Sequence, residues 1–292
     1  MKKCSIVILF ALILSLLAGC GGGTESAAVA ATTLPVYDFA QRLCDGTDIS
    51  VTRLVTEQVS CLHDYSLNVN QVRASESAEK IIISGAGLED FLGDILKEDK
   101  IIDASAGITL LEGHHHHHEE GEDPHDHVDD PHIWLSPVNA KAMAQNICAG
   151  LSAAYPQNKE ALETNLISLL ADLDKLQAYG EDQLKDLKVR ELVTFHDGFA
   201  YFADAFGLTI LESIEEESGS EASAQELTEL IQLVKDHQLP AVFTEKNGST
   251  SASSVISSET GAKVFALDMA MSGDSYFDSM YYNIDTLKEA LG

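Results

Sequence analysis

The run NKEALETNLISLLADLDKLQAYGEDQL, residues 158–184, decides how the rest of the chain is arranged. Apolar residues recur at three-to-four spacing from Leu162 through Leu166, Leu169, Leu173 and Leu176 to Leu184, the signature of one amphipathic helix. Pro156 stops what precedes it, so the linking helix is expected over 157–186. At 1.5 Å per residue such a helix reaches about 40 Å, longer than one lobe needs. It reads as a rigid strut between a first lobe, 32–156, and a second lobe, 187–292.

On both sides of the strut, short β-branched runs alternate with amphipathic ones. In the first lobe, helices are expected at 35–45, 68–78 and 87–97, and strands at Ile49–Val55, Lys80–Ser84 and Ile101–Ile102. Pro137–Ala154 follows as a helix, with Ser136 at the N-cap and Pro137 at the first helical position. In the second lobe, strands are expected at Leu192–Thr194, Leu208–Leu211, Ala241–Thr244 and Val264–Leu267. Helices are expected there at Phe199–Phe206, Ser223–His237, Ser251–Thr260 and Ser279–Leu291, the second opened by Ser223 and Glu226 at capping-box spacing. Alternation of this kind gives parallel βαβ units. The fold class is therefore α/β: two βα lobes with parallel sheets joined by one long helix, with a cleft between them.

Residues 1–19 pair the basic start Met1-Lys2-Lys3 with the apolar stretch Ile6–Leu17 and end in Ala18-Gly19, which fits a secretory signal. Cys20 directly after Leu-Ala-Gly resembles a bacterial lipobox, in which the cysteine is lipidated and anchors the chain outside the cytoplasm. Residues 20–31 then read as a flexible tether. The formal charge of -29, from 18 basic and 47 acidic residues, argues against nucleic acid as a partner and is compatible with attracting cations. Beyond Cys4 and Cys20 there remain Cys44, Cys61 and Cys148. Cys44 and Cys61 are the closer pair in sequence, but spacing alone leaves their connectivity open, and a reduced Cys61 would sit two residues from a histidine.

Histidine is the residue that stands out. His63 in CLHDYSL, His132 in DPHIWLSP and His196 in TFHDGFAYF are too far apart for a local metal knuckle, so only the fold can gather them. His196 and Asp268 each follow the apolar run of a strand, where α/β sheets bind ligands. Between 112 and 130 lies a separate tract with eight acidic residues and seven histidines, His114, His115, His116, His117, His118, His125 and His127, and no Lys or Arg. It cannot bury a core and reads as a loop that collects several ions weakly, or else as a solubilising spacer.

These segments resemble the metal-specific substrate-binding lipoproteins of ABC transporters, the zinc and manganese cluster, and are most similar to the zinc-binding members. The resemblance runs over the lipobox, HDYSL, GAGLEDFL, the acidic His-rich insertion, DPHIWLSP, the strut, TFHDGFAYFADAFGL, ESGSEASAQEL and GDSYFDSMYYNIDTLKEAL. It implies a metal in the cleft held by His63, His132, His196 and a carboxylate, with Asp268 ranked ahead of Asp274 or a water. It implies little bending on binding, a permease as partner, and a lipid-anchored monomer. A manganese-binding member is expected to carry a carboxylate where His196 stands, and a nitrogen-rich set suits zinc. Two departures stand out: Cys61-Leu62 replaces the usual Gly, Pro and acidic residue ahead of the first ligand, and the carboxyl-terminal segment is short.

Other roles fit these residues less well. His237 at a helix end reads as structural, Trp134 as core, and Glu245 either as a carboxylate orienting a metal-bound histidine or as a plain strand end. A zinc hydrolase would need an open coordination position and a base, and the sequence has no HExxH helix or nucleophile elbow. A secondary role in adhesion shares the same anchor and fold.

Overall fold

The structure, a computed structural model, describes residues 27–59, 62, 65–95, 97–113, 129–215 and 222–292. The signal, Cys20, Cys61, His63 and the seven histidines between 114 and 127 lie outside them, and of His196 only the backbone is described.

The first lobe is built from β1 (Ala27–Ala31), α1 (Leu34–Leu43), β2 (Ile49–Arg53), α2 (Val69–Ser77), β3 (Lys80–Ile83) and β4 (Ile101–Asp103). Its four strands lie in the order β2-β1-β3-β4, all parallel, with Val29 opposite Val51 and Ala30 opposite Ile81. The helix α3 (Pro137–Ala154) covers this sheet and starts as expected, its Ser136 side chain accepting from the Asn139 amide. The strut α4 (Lys159–Leu184) is one unbroken helix of 26 residues after a single 3-10 turn.

The second lobe follows with β5 (Glu191–His196), α5 (Ala200–Phe206), β6 (Thr209–Glu215), α6 (Ala224–Asp236), β7 (Ala241–Glu245), α7 (Ser251–Thr260), β8 (Lys263–Leu267) and α8 (Tyr276–Leu291). β5 pairs with β6 and β7 with β8, both parallel, and β5 lies alongside β7. The spatial order β6-β5-β7-β8 thus repeats the order of the first lobe. The capping box at Ser223 and Glu226 forms as the spacing predicts.

Two expectations need correction. The stretch Ala27–Ala31, expected within the tether, is a central strand hydrogen-bonded on both sides to β2 and β3. Ala-Ala-Val-Ala-Ala has weak strand propensity, yet Val29, Ala30 and Ala31 are fully buried, and small side chains suit a strand covered on both faces. The helix expected at 87–97 is instead a turn and a 3-10 stretch, Asp90–Ile95, broken at Gly93. Positive φ at Ala86, Gly87 and Gly93 prevents a regular helix there.

One apolar core runs through both lobes, from Val29 and Phe39 past Leu173 to Ile284 and Leu291. The strut lies against α1 and α3 in the first lobe and against α5 and α8 in the second. Gly180 makes the approach to α5 possible, because a Cβ there would sit 2.2 Å from the Phe206 ring. Direct bonds also tie the lobes together. Trp134 Nε1 donates to Met269 O (2.8 Å), Tyr276 Oη donates to Trp134 O (2.7 Å), and the Tyr276 amide donates to Asp38 Oδ2 (2.9 Å). The Arg53 guanidinium donates to Met271 O and Gly273 O. Trp134 and Tyr276 are fully buried, so the Trp134–Met269 and Tyr276–Trp134 bonds form in a dry interface.

Candidate metal centre

Two of the four expected ligand positions, His196 and Asp268, stand at the carboxyl ends of strands, both in the second lobe. The loop from β2 toward α2 bears His63; next to that position Leu62 is fully buried, and the Tyr65 amide donates back to Leu62 O (3.0 Å). Farther along, the Tyr65 hydroxyl donates to Glu57 Oε2 (2.7 Å). His196 is the last residue of β5, opposite Glu215. Asp268 follows β8 directly, and His132 precedes the 3-10 turn Ile133–Leu135 that leads into α3.

His132 has the best-defined surroundings. It is 1% exposed, and its Nδ1 lies 2.7 Å from Asp130 Oδ1, which also accepts the His132 backbone amide at 2.9 Å. A carboxylate facing Nδ1 makes that nitrogen the N–H donor and leaves Nε2 with the lone pair that ligates a metal. Trp134 stands edge-on to the imidazole, with ring centroids 5.3 Å apart. Asp130 Oδ2 and Glu245 Oε1 are buried without a hydrogen-bond partner among the described residues. Buried, uncompensated carboxylate oxygens are costly unless a cation is nearby, which fits a site for a divalent ion.

Asp268 is 5% exposed and held at every polar atom. Its amide donates to Asn283 Oδ1 (2.7 Å), its carbonyl accepts from Asn283 Nδ2 (2.7 Å), and its Oδ1 accepts from the Ala270 amide (2.8 Å). Its Oδ2 lies 3.2 Å from Lys246 Nζ. Asp274, the alternative carboxylate, is exposed. Glu245 is buried at the end of β7, the strand that lies alongside β5. His237 pairs with Glu191 at 2.9 Å on the surface, at the amino end of β5 and so at the opposite end of that strand from His196. Among the described residues no three His, Cys, Asp or Glu side chains form a metal cluster; two of the four expected ligands contribute no described side chain.

The His-rich tract leaves and returns at one point. The Asp130 amide donates to Leu111 O (2.9 Å), and Glu112 bridges Asp129 in antiparallel fashion. The Tyr201 hydroxyl of α5 clasps both sides of this neck, accepting from the Leu111 amide and donating to Asp130 O, each at 2.9 Å. Burial pushes the Tyr201 phenol up to about 12, so it stays a neutral donor at physiological pH. The neck is thus two residues from His132 and is held by the helix that follows His196.

Sequence reasoning missed four of these residues. Asp130 was one of eight carboxylates in a tract read as unstructured, although Asp-Pro-His places a carboxylate two residues before the imidazole. Tyr201 and Lys246 act across long sequence separations, which carry no local signal. Glu89, within the weak GAGLEDFL motif, is buried and accepts from Thr32 Oγ1 (2.7 Å), the Ser84 amide (2.7 Å) and the Gly85 amide (3.0 Å). It ties the end of β1 to the end of β3, and burial pushes its carboxyl up to about 7.

The family model described as ZnuA, zinc-uptake complex component A, periplasmic, matches residues 29–290. The zinc-binding lipoprotein AdcA of Streptococcus pneumoniae R6 is 28% identical over 308 residues, covering 99% of this chain and 61% of that protein, so this chain spans about three fifths of that relative's length. The high-affinity zinc uptake system protein ZnuA of Bacillus subtilis is 29% identical over 319 residues, covering 99% of this chain and 98% of that one. A crystal structure of ZnuA superposes with a TM-score of 0.80 at 32% identity, covering 92% of this chain and 100% of that chain. This chain belongs to the zinc-uptake complex component A family.

Proposed function

We propose that this protein captures zinc outside the cytoplasm, in the cleft between its lobes, and delivers it to the permease of an ABC importer. His63, His132, His196 and Asp268 are the ligands, and Cys20 carries the lipid that keeps the monomer at the membrane. The observation that carries the reading is the 2.7 Å contact of Asp130 with His132 Nδ1, the carboxylate–histidine arrangement that prepares an imidazole for a metal. Three imidazoles and one carboxylate make a nitrogen-rich set that suits zinc, and manganese would prefer more oxygen. Such a closed set leaves no coordination position for a reacting water, so the protein binds and does not catalyse. The relatives named for zinc binding and zinc uptake support the same cargo.

The His-rich tract is the collecting device. Its neck opens beside His132, so an ion held weakly by its imidazoles is released next to the cleft. Zinc titration of the protein and of His132→Ala, each with and without residues 114–128, tests the reading. One tight zinc should disappear with His132→Ala while the weak sites persist with the tract. Tight stoichiometry that survives the substitution would refute the ligand set.

A further inference from the structure

Asp268 has one carboxylate oxygen committed and one paired with a half-exposed ammonium. Oδ1 caps the turn through the Ala270 amide, so Oδ2 is the atom open to a metal, and Lys246 Nζ sits 3.2 Å from it. The position of Lys246 is fixed by the backbone, since its amide donates to Leu267 O (2.8 Å) and extends the β7–β8 pairing to the residue before Asp268. Its side chain is 53% exposed, so water can solvate the ammonium when it leaves the carboxylate, whereas the Asp268 side chain is 7% exposed. The ammonium also lies over the Tyr282 ring, 4.9 Å from its centroid, which offers a second resting place when it leaves the carboxylate.

We propose that Lys246 competes with the bound ion for Asp268 Oδ2, holding down the affinity of the cleft and speeding release of the cargo. This rests on the reading of Asp268 as a ligand. A divalent ion approaching Oδ2 must displace the ammonium toward Tyr282, and a departing ion finds its ligand recaptured by Lys246.

The test is a double-substitution cycle on the full-length protein, with zinc affinity read by chelator competition and release by stopped-flow transfer to a chelator. Lys246→Met should tighten zinc binding about two- to fivefold, the range of a partly exposed ion pair, and slow release by a similar factor. Lys246→Arg keeps the pair and should resemble the parent protein. In an Asp268→Asn background Lys246→Met should change nothing. If Asp268→Asn weakens zinc binding but Lys246→Met has no effect, the competition is wrong while the ligand assignment stands. If Asp268→Asn leaves affinity unchanged, the ligand assignment itself fails. If Lys246→Met tightens binding equally in both backgrounds, the lysine acts only through general charge, which also overturns the proposal.

Discussion

Asp130→Asn isolates the electronic role of the carboxylate behind His132. In the parent protein Asp130 Oδ1 accepts two bonds, from His132 Nδ1 at 2.7 Å and from the His132 amide at 2.9 Å, and both residues are almost fully buried. An asparagine oxygen can accept the same two bonds, so the ring stays in place and Nε2 remains the ligating atom. What disappears is the negative charge. Hydrogen bonds to charged groups contribute about 1.5–3 kcal/mol against about 0.5–1.5 for neutral ones, a difference of about 1–1.5 kcal/mol for the bond to the ring. That difference matters in the metal-bound state, where the imidazole donates density to the ion, and it corresponds to about a tenfold loss of zinc affinity. The metal-free protein should lose little stability, because the substitution also removes the charge on a buried Oδ2 that has no hydrogen-bond partner among the described residues. Chelator competition gives the affinity and thermal melting in EDTA gives the stability. Unchanged zinc affinity in Asp130→Asn, alongside its loss in His132→Ala, would refute the argument that Asp130 tunes the ring.

Zinc affinity should fall as pH drops below about 6.5, because protonated imidazoles cannot ligate. Glu89 works in the opposite direction on the metal-free fold: its folded pKa is raised from 4.5 to about 7, so its stabilising contribution is full below 4.5 and is lost as pH rises through about 7. The shift is worth about 3 kcal/mol, and Glu89→Gln should flatten that slope in melting curves recorded in EDTA from pH 4.5 to 8. A slope identical in the variant would assign the pH dependence elsewhere. Replacing 114–128 by a short Gly-Ser link should leave the Leu111–Asp130 neck and the tight zinc intact and remove only the weak sites; loss of the tight ion would put its ligands in the tract. Gly180→Ala drives a Cβ to 2.2 Å from Phe206 and should cost about 1–3 kcal/mol in melting experiments without altering zinc stoichiometry.

Much of this architecture was legible because it follows from local chemistry. The apolar spacing of the strut, Pro137 behind Ser136, and the Ser223–Glu226 box each report a backbone state within a few residues, and the structure places each where the spacing does. β1 was not legible, since Ala27–Ala31 owes its strand to two neighbours and to burial, neither of which marks its own composition. GAGLEDFL misled for the opposite reason: its apolar pattern suits a helix, but Gly85 must pass so close to Asp103 and Ser105 that any Cβ would clash. At the site, the motif singles out His132 and holds Asp130 two residues before it, whereas Tyr201 and Lys246 are recognisable only once Leu111 and Asp268 have been brought beside them.

The bonds across the lobes bear on how such a site loads and unloads. His132 sits two residues from Trp134, whose indole is bonded to Met269, next to Asp268, and Tyr276 binds the Trp134 carbonyl from the far side. Separating the proposed ligands His132 and Asp268 would expose two fully buried aromatic rings, at about 2–3 kcal/mol each, besides breaking the hydrogen bonds. Lobe opening is therefore an expensive way to let go of an ion. On the proposed ligand set, lobes already joined pay no closure penalty on capture, which favours tight binding. The same rigidity would remove closure as a means of discrimination, so selectivity would fall to the proposed donor set, in which imidazole nitrogen outnumbers carboxylate oxygen. Release then depends on groups that can move while the lobes stay joined. The half-exposed Lys246 side chain beside Asp268 can be re-solvated without parting the lobes, whereas the fully buried Trp134 and Tyr276 cannot.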